Sequence, residues 1–254
     1  MRGAREPGAL GRPHLHRPGA LGRPRLHLLR TDSTNDRARA LAAGGAPHGT
    51  LVTAAEQGAG RGRQGRSWSA PARSSLLMSL VLRWAGSEPP QRLLPLAAAV
   101  AVCDVAGDTA RIKWPNDIVV SDQRGLGKLA GVLVEGRPQE RWAVLGIGLN
   151  VAVELAQLPA EVRAGAATLG RPRAEIEPTL QRLLTALQQR LAESERDTLA
   201  AWRTRDALRG RDVAWASGRG RAQGIDGAGR LIVALPGGGT AALQAGEVHL
   251  RRVG

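Results

Sequence analysis

Phenylalanine and tyrosine are missing from this 254-residue chain, and its only large rings are six tryptophans. A core built from it must therefore be aliphatic, which the 43% of hydrophobic residues is enough to supply. The single cysteine, Cys103, lies in the apolar run "LPLAAAVAVCDV", so a disulfide framework is excluded and a buried thiol is expected. Long apolar runs are lacking too. None approaches the roughly 20 residues of a membrane-spanning helix, and the basic N-terminus has no apolar core of a signal peptide. These absences predict a cytoplasmic protein with no membrane association.

Lysine is almost absent: among 36 basic residues only Lys113 and Lys128 are lysines, and asparagine occurs only as Asn35, Asn116 and Asn150. The chain is rich in Ala, Gly, Arg and Leu, the profile of a sequence pushed away from residues with A/T-rich codons. Under that pressure the survivors mark positions where a substitute fails. Arginine can replace lysine on a solvated face but cannot imitate a compact, rotatable ammonium in a tight site.

A net charge of +14 points toward polyanions, but its distribution tempers the inference. Residues 1–30 hold seven Arg against one Glu, and an imperfect repeat, "PGALGRPHLHR" then "PGALGRPRLHL", fills most of them. Such Pro, Gly and Arg content builds no core, so residues 1–24 read as a disordered basic tail. No recognition helix or aromatic platform accompanies it, and specific DNA binding is not expected.

Beyond the tail, "RLHLL" reads as a strand and "TDSTNDRARALAAGG" as a helix capped by Asp32, Ser33 or Thr34 and stopped by Gly44 and Gly45. "GTLVTAAEQ" and "SSLLMSLVLRW" are strands and "QRLLPLAAAVAVCDVAG" is a buried helix. "RIKWPNDIVVSD", "KLAGVLVEG" and "RWAVLGIGLNVAV" read as three further strands. From Glu175 to Arg203 one helix is expected, with Leu180, Leu183, Leu184, Leu187 and Leu191 on its core face. Many strands with few helices predict an α+β fold with a mixed sheet over residues 25–207. Short strands and Gly-rich turns over residues 208–254 predict a small appended β-barrel.

The segment "GRGRQG" satisfies G-x-G-x-x-G but is rejected as a dinucleotide fingerprint, because "RSWSAPARSS" does not open a helix and no acidic partner follows. It is not a P-loop, since no Gly-Lys-Ser/Thr follows. What it offers is Arg61, Arg63 and Arg66 on a glycine frame, able to fold over a ligand and grip phosphate or carboxylate. Composition alone leaves a solvated surface loop or a nucleic-acid patch open.

Taken together, "TDSTND", "EQGAGRGRQGRSW", "KWPNDIVV", "GKLAGVLVE" and "GIGLNVA", in this order and spacing, resemble the biotin protein ligases over residues 25–254. The resemblance implies a mixed-sheet catalytic domain and a C-terminal SH3-like barrel. It also implies activation of biotin by ATP to biotinyl-5′-AMP, then transfer to one lysine of the biotin carboxyl carrier domain of a carboxylase. Only the repetitive tail precedes "RLHLL", so the monofunctional type without a DNA-binding domain is expected. The oligomeric state is left open, a homodimer included.

The chemistry gives each residue a role. Bringing a carboxylate to the α-phosphate joins two anions, so the site must supply positive charge in fixed geometry. Arg63 and Lys128 are expected to do so, with Arg61, Gly62 and Arg66 closing the loop; the resemblance implies that Lys128 meets the biotin carboxylate beside Gly131. Asn116 and Asp117 suit Mg²⁺ or ribose-phosphate contacts, Asp117 as the metal ligand and as a base in the transfer step, with Lys113 neutralising phosphate beside them. The resemblance implies that Ser33, Thr34, Asn35 and Gln57 bind the ureido ring of biotin, Trp68 lies near adenine, and Asn150 touches the nucleotide. Trp84, Trp142, Trp202 and Trp215 read as packing. Residues 58–67 are expected to order over the adenylate and exclude water. The alternatives are a lipoate or octanoate ligase or transferase of the same fold, the transferase needing no ATP, and a polyanion-binding module.

Overall fold

The computed structural model describes residues 20–84, 93–123, 125–244 and 248–250. The first elements follow the sequence reading. Strand β1 spans Arg25–Leu28, helix α1 Thr34–Ala43 and strand β2 Leu51–Ala54. Ser33 caps α1, its Oγ accepting from Asp36 N at 3.4 Å, and Gly44 ends it. Two short strands, β3 (Gly60–Arg61) and β4 (Ser67–Trp68), form a hairpin where a loop was expected. They are followed by β5 (Ser75–Arg83) and α2 (Leu94–Ala106).

Two readings are corrected in the middle of the chain. "RIKWPNDIVVSD" is not one strand but two, β6 (Arg111–Lys113) and β7 (Asp117–Asp122), folded back on each other around Trp114, Pro115 and Asn116. Proline cannot donate to a ladder, so the chain turns there. Strands β8 (Gly125–Arg137) and β9 (Trp142–Asn150) and the single-turn helix α3 (Ala160–Arg163) lead to the expected long helix, which is divided into α4 (Ile176–Ala192) and α5 (Glu195–Thr204). Ser194 causes the break: its Oγ accepts from Asp197 N at 3.1 Å and starts a new helix.

Seven strands form a mixed sheet in the order β1, β2, β5, β9, β8, β7, β6, antiparallel except for β1 beside β2. Helix α1 lies on one face, packing Ala38 and Ala42 against Val52, Val81 and Val144. The other face is covered by α2 and α4, where the expected leucines 180, 183, 184 and 187 are buried. Burying each such side chain contributes about 1.5–3 kcal/mol. Cys103 sits fully buried in α2, and withdrawal from water pushes its thiol up to about 12. It is an inert core residue.

The C-terminal strands β10 (Asp212–Trp215), β11 (Gly218–Ile225), β12 (Leu231–Ala234), β13 (Thr240–Leu243) and β14 (His249–Leu250) form a five-stranded antiparallel sheet. It shares the α2 core through Leu208, Val213, Leu231 and Val233. The Gly229 turn between β11 and β12 approaches Leu93 and Leu96. Most of the expected basic tail, residues 1–19, lies outside the described residues; the packed chain begins before the expected boundary, for Leu21 is buried and Gly22 N donates to Gly49 O at 2.9 Å. No helix among the described residues is long and apolar enough to cross a membrane.

Candidate active site

The floor of the main cleft is set by strand register. Ser79 of β5 pairs with Gly146 of β9, which pairs with Leu133 of β8; two residues along, Leu77, Gly148 and Gly131 align in the same way. Side chains two residues apart share a face, so both rows look toward α1 and the hairpin. The glycines are notches. A Cβ at Gly146 would stand 2.0 Å from Asn35 Oδ1, and one at Gly148 would stand 2.5 Å from the Trp68 ring. Lys128 reaches this face through a bulge: Leu129 is unpaired between the pairs Ile118–Ala130 and Val119–Lys128. An odd separation from Gly131 would otherwise turn Lys128 away. As it is, a Cβ at Gly131 would lie 3.5 Å from Lys128 Nζ.

One end of the cleft is neutral, polar and dry. Ser33, Thr34, Asn35 and Ser79 are 1%, 4%, 4% and 0% exposed, so each polar atom needs a partner. Thr34 N and Oγ1 donate to Gln57 Oε1 at 2.7 and 3.0 Å. Ser79 Oγ donates to Asn35 Oδ1 at 2.6 Å and lies 2.8 Å from Thr34 Oγ1. Asn35 Nδ2 donates to Glu135 Oε2 at 2.8 Å.

The opposite end is charged. Lys128 Nζ contacts Asp117 Oδ1 at 2.7 Å, and the ammonium stands 5.6 Å from the Trp68 ring centre. Arg63 Nη1 donates to Asn116 Oδ1 at 3.3 Å. Asn116 is itself fixed to β8: its Nδ2 donates to Val132 O at 2.8 Å, and its own carbonyl accepts from Val132 N at 3.0 Å. Withdrawal from water pulls the Arg63 guanidinium below its ordinary pKa, against the opposing pull of the Asp117 carboxylate. It stays charged at physiological pH and gains from any anion that replaces its lost hydration. Trp68 Nε1 is buried with no hydrogen-bond partner among the described residues, an N–H left for a ligand acceptor.

The β3–β4 hairpin roofs the cleft between these ends. Gly60 and Arg61 pair with Trp68 and Ser67, and Gln64 at the tip adopts φ 56°. Arg61 ties the hairpin down, with Nη2 donating to Glu135 Oε1 at 2.8 Å and Nη1 to Asp36 Oδ1 at 3.3 Å. The segment forms a hairpin with a 3-10 turn at its tip, Arg63–Gly65, and opens no α-helix, in keeping with its rejection as a dinucleotide fingerprint.

The structure brings together Ser33, Thr34, Asn35, Gln57, Arg61, Gly62, Arg63, Arg66, Trp68, Asn116, Asp117, Lys128 and Gly131 around one cleft. It does not bring Lys113 or Asn150 to the lining. Lys113 ends β6, paired in register with Asp117. Asn150 occupies the next row of the same sheet face, buried, its Oδ1 accepting from Ser75 Oγ at 3.1 Å and its Nδ2 donating to Ala167 O at 2.9 Å. Sequence reasoning missed the lining residues Ser67, Met78, Val132, Leu133, Gly146, Ile147 and Gly148, and also Ser79 and Glu135. Only the glycines of "GIG" and the end of "LAGVLVE" carried a signal.

Comparison with known proteins agrees with this geometry. Residues 28–151 match the Biotin/lipoate A/B protein ligase family. The biotin–[acetyl-CoA-carboxylase] ligase of Mycobacterium tuberculosis is 37% identical over 244 residues, covering 87% of each chain. That of Paracoccus denitrificans is 42% identical over 134 residues, 49% of this chain and 53% of the relative. Among solved structures, the biotin protein ligase of Aquifex aeolicus in complex with biotin and ATP superposes with a TM-score of 0.73 at 25% identity, covering 91% of this chain and 99% of that one.

Proposed function

This chain belongs to the biotin protein ligase family, and from that premise we propose that it activates biotin with ATP to biotinyl-5′-AMP and transfers the biotinyl group to a lysine of a carboxylase's biotin carboxyl carrier domain. The observation that carries the reading is one cleft with two unlike ends: a buried neutral hydrogen-bonding end suited to a ureido ring, and an end where Lys128, Arg63, Asn116 and Asp117 converge. The Aquifex aeolicus relative solved with biotin and ATP supports both ligands.

In the first step a biotin carboxylate oxygen attacks the α-phosphorus of ATP, a P–O bond forms, and the bond to the β-phosphate oxygen breaks to release pyrophosphate. Lys128 and Arg63 lower the repulsion between the two anions, and their fixed positions make the stabilisation available without reorganisation. Asp117 holds the Lys128 ammonium at 2.7 Å across the face of Gly131. In the second step the acceptor amine attacks the acyl carbon, the acyl–phosphate bond breaks and AMP leaves; Asp117 is the candidate to take the amine proton. Closure of residues 58–67 keeps water from the mixed anhydride in the interval. Among the described lining residues Asp117 is the carboxylate that would hold a divalent cation, an oxygen ligand of the kind such ions take. Mg²⁺, if bound there, would supply charge to offset that of the phosphates. Lys113, beside Asp117 on the neighbouring strand at the foot of the same turn, adds to the positive field outside the lining.

The direct test is pyrophosphate release by the full chain with ATP and Mg²⁺, comparing biotin, lipoate and octanoate. Release with biotin and its loss in Lys128→Ala are expected; release with lipoate or octanoate instead would transfer the reading to the other branch of the fold.

A further inference from the structure

Glu135 closes the row of cleft-facing residues on β8 that begins with Gly131 and Leu133, and its two oxygens serve different elements. Oε1 accepts from Arg61 Nη2 of the hairpin at 2.8 Å, with Arg39 Nη1 of α1 at 3.7 Å. Oε2 accepts from Asn35 Nδ2 at 2.8 Å. At 20% side-chain exposure it is better shielded than Asp36, the hairpin's other anchor, at 47%. Shielded ionic hydrogen bonds hold geometry better than exposed ones.

An ionised carboxylate only accepts hydrogen bonds, so Glu135 decides which way the Asn35 amide faces. With Nδ2 directed at Glu135, Asn35 Oδ1 must face Ser79, and it takes the one proton of the Ser79 hydroxyl at 2.6 Å. That leaves Ser79 a lone pair toward Thr34 Oγ1, 2.8 Å away, so the one Thr34 hydroxyl proton is shared between Ser79 Oγ and Gln57 Oε1, which the Thr34 backbone N–H also holds. The donor and acceptor directions of Asn35 and Ser79 are thus set from one carboxylate. The same carboxylate latches the hairpin.

We propose that Glu135 is a positioning residue that couples hairpin closure to the hydrogen-bond polarity of the neutral end, so that biotin capture and retention of the adenylate depend on each other. This rests on the ligase reading above. Releasing Arg61 leaves Glu135 free to shift, and shifting Glu135 frees the Asn35 amide to turn over.

The test uses the full chain with biotin, ATP and Mg²⁺, measuring KM for biotin, KM for ATP, kcat of pyrophosphate release, and escape of biotinyl-5′-AMP into solution. In Glu135→Gln one of the two oxygens becomes an NH2, so either Arg61 or Asn35 meets a donor where it now meets an acceptor. Loss of one ionic hydrogen bond predicts a biotin KM raised about tenfold and faster adenylate escape, with ATP KM within a factor of about two of wild type. Arg61→Gln, at an exposed side chain, should also accelerate escape, and the double variant should escape no faster than Glu135→Gln alone. Additive escape rates, or a biotin KM unchanged in folded Glu135→Gln, would overturn the coupling. Should Glu135→Gln fail to fold, Arg61→Gln alone decides: a raised biotin KM upholds the coupling and an unchanged one sinks it. Absence of biotin-dependent release in the wild-type chain would instead count against the ligase reading itself.

Discussion

The two ends of the cleft solve opposite problems. At the neutral end Ser33, Thr34, Asn35 and Ser79 are at most 4% exposed and the last three are joined in a network of short hydrogen bonds, whereas Lys128 and Asp117 retain 39% and 21% side-chain exposure. A dry network is specific because a wrong ligand leaves buried groups unpaired, at about 1–3 kcal/mol each. A half-solvated cation is less discriminating, but it can be shared between a protein carboxylate and an incoming anion without a large desolvation cost. On the proposed function, selectivity for the acid therefore resides at one end and reactivity at the other.

The strongest way to break that division is at Lys128. Lys128→Ala should lower kcat for pyrophosphate release roughly 100- to 1,000-fold, the scale of removing one preorganised charge stabiliser, and Lys128→Arg should not restore it, because a planar fork cannot take the place of a compact ammonium beside the Trp68 ring. Full rescue by arginine, read from single-turnover kinetics, would mean that only charge matters there.

At the other end Gly146→Ala is the sharper probe. Its Cβ would stand 2.0 Å from Asn35 Oδ1, so the amide must leave its seat against Ser79 while the strand itself is left intact. Loss of about 1.4–3 kcal/mol of binding, some 10- to 100-fold in biotin KM, is expected with little change in ATP KM. Equal changes in both constants would erase the distinction between the ends.

Ionic strength separates the ends without mutation. Raising salt from about 0.05 to 0.5 M shortens the Debye length severalfold. ATP KM should rise a few-fold while biotin KM, which involves a single ligand carboxylate and otherwise buried, shielded hydrogen bonds, stays within a factor of about two. Parallel salt responses in steady-state titrations would contradict the proposed assignment of ligands to ends.

Much of this was legible in the sequence, and the illegible part has a common cause. Rare residues in short polar segments pointed to Asn35, Asn116 and Lys128, and the apolar spacing of Leu180, Leu183, Leu184 and Leu187 gave α4 its buried face. Ser194 three residues before Asp197 was a readable capping signal inside the supposed single helix, and Pro115 a readable break inside the supposed single strand. Ser79, Glu135 and the depth of the Gly146 and Gly148 notches were not readable. They join the site through cross-strand register, and the bulge at Leu129 that swings Lys128 onto the cleft face has no local signature. Asn150 was misleading for the same reason, its row being covered by the segment around Ala167.

The smallest effect concerns what supports each end. The neutral end stands on α1 and the central strands, whereas the turn carrying Asn116 and Asp117 also leans on the C-terminal sheet: buried Trp114 donates from Nε1 to Gly229 O at 3.0 Å, and that turn packs on Leu93 and Leu96 of the α2 region. Trp114→Phe keeps a ring but leaves the Gly229 carbonyl without this donor, at a cost of about 1 kcal/mol in stability. Because the lost bond anchors the charged end alone, ATP KM should rise about two- to threefold while biotin KM holds, a fraction of that same energy reaching the turn. If biotin KM moved instead, the C-terminal sheet would be supporting the cleft as a whole, and the asymmetry between its ends would lie in solvation rather than in scaffolding.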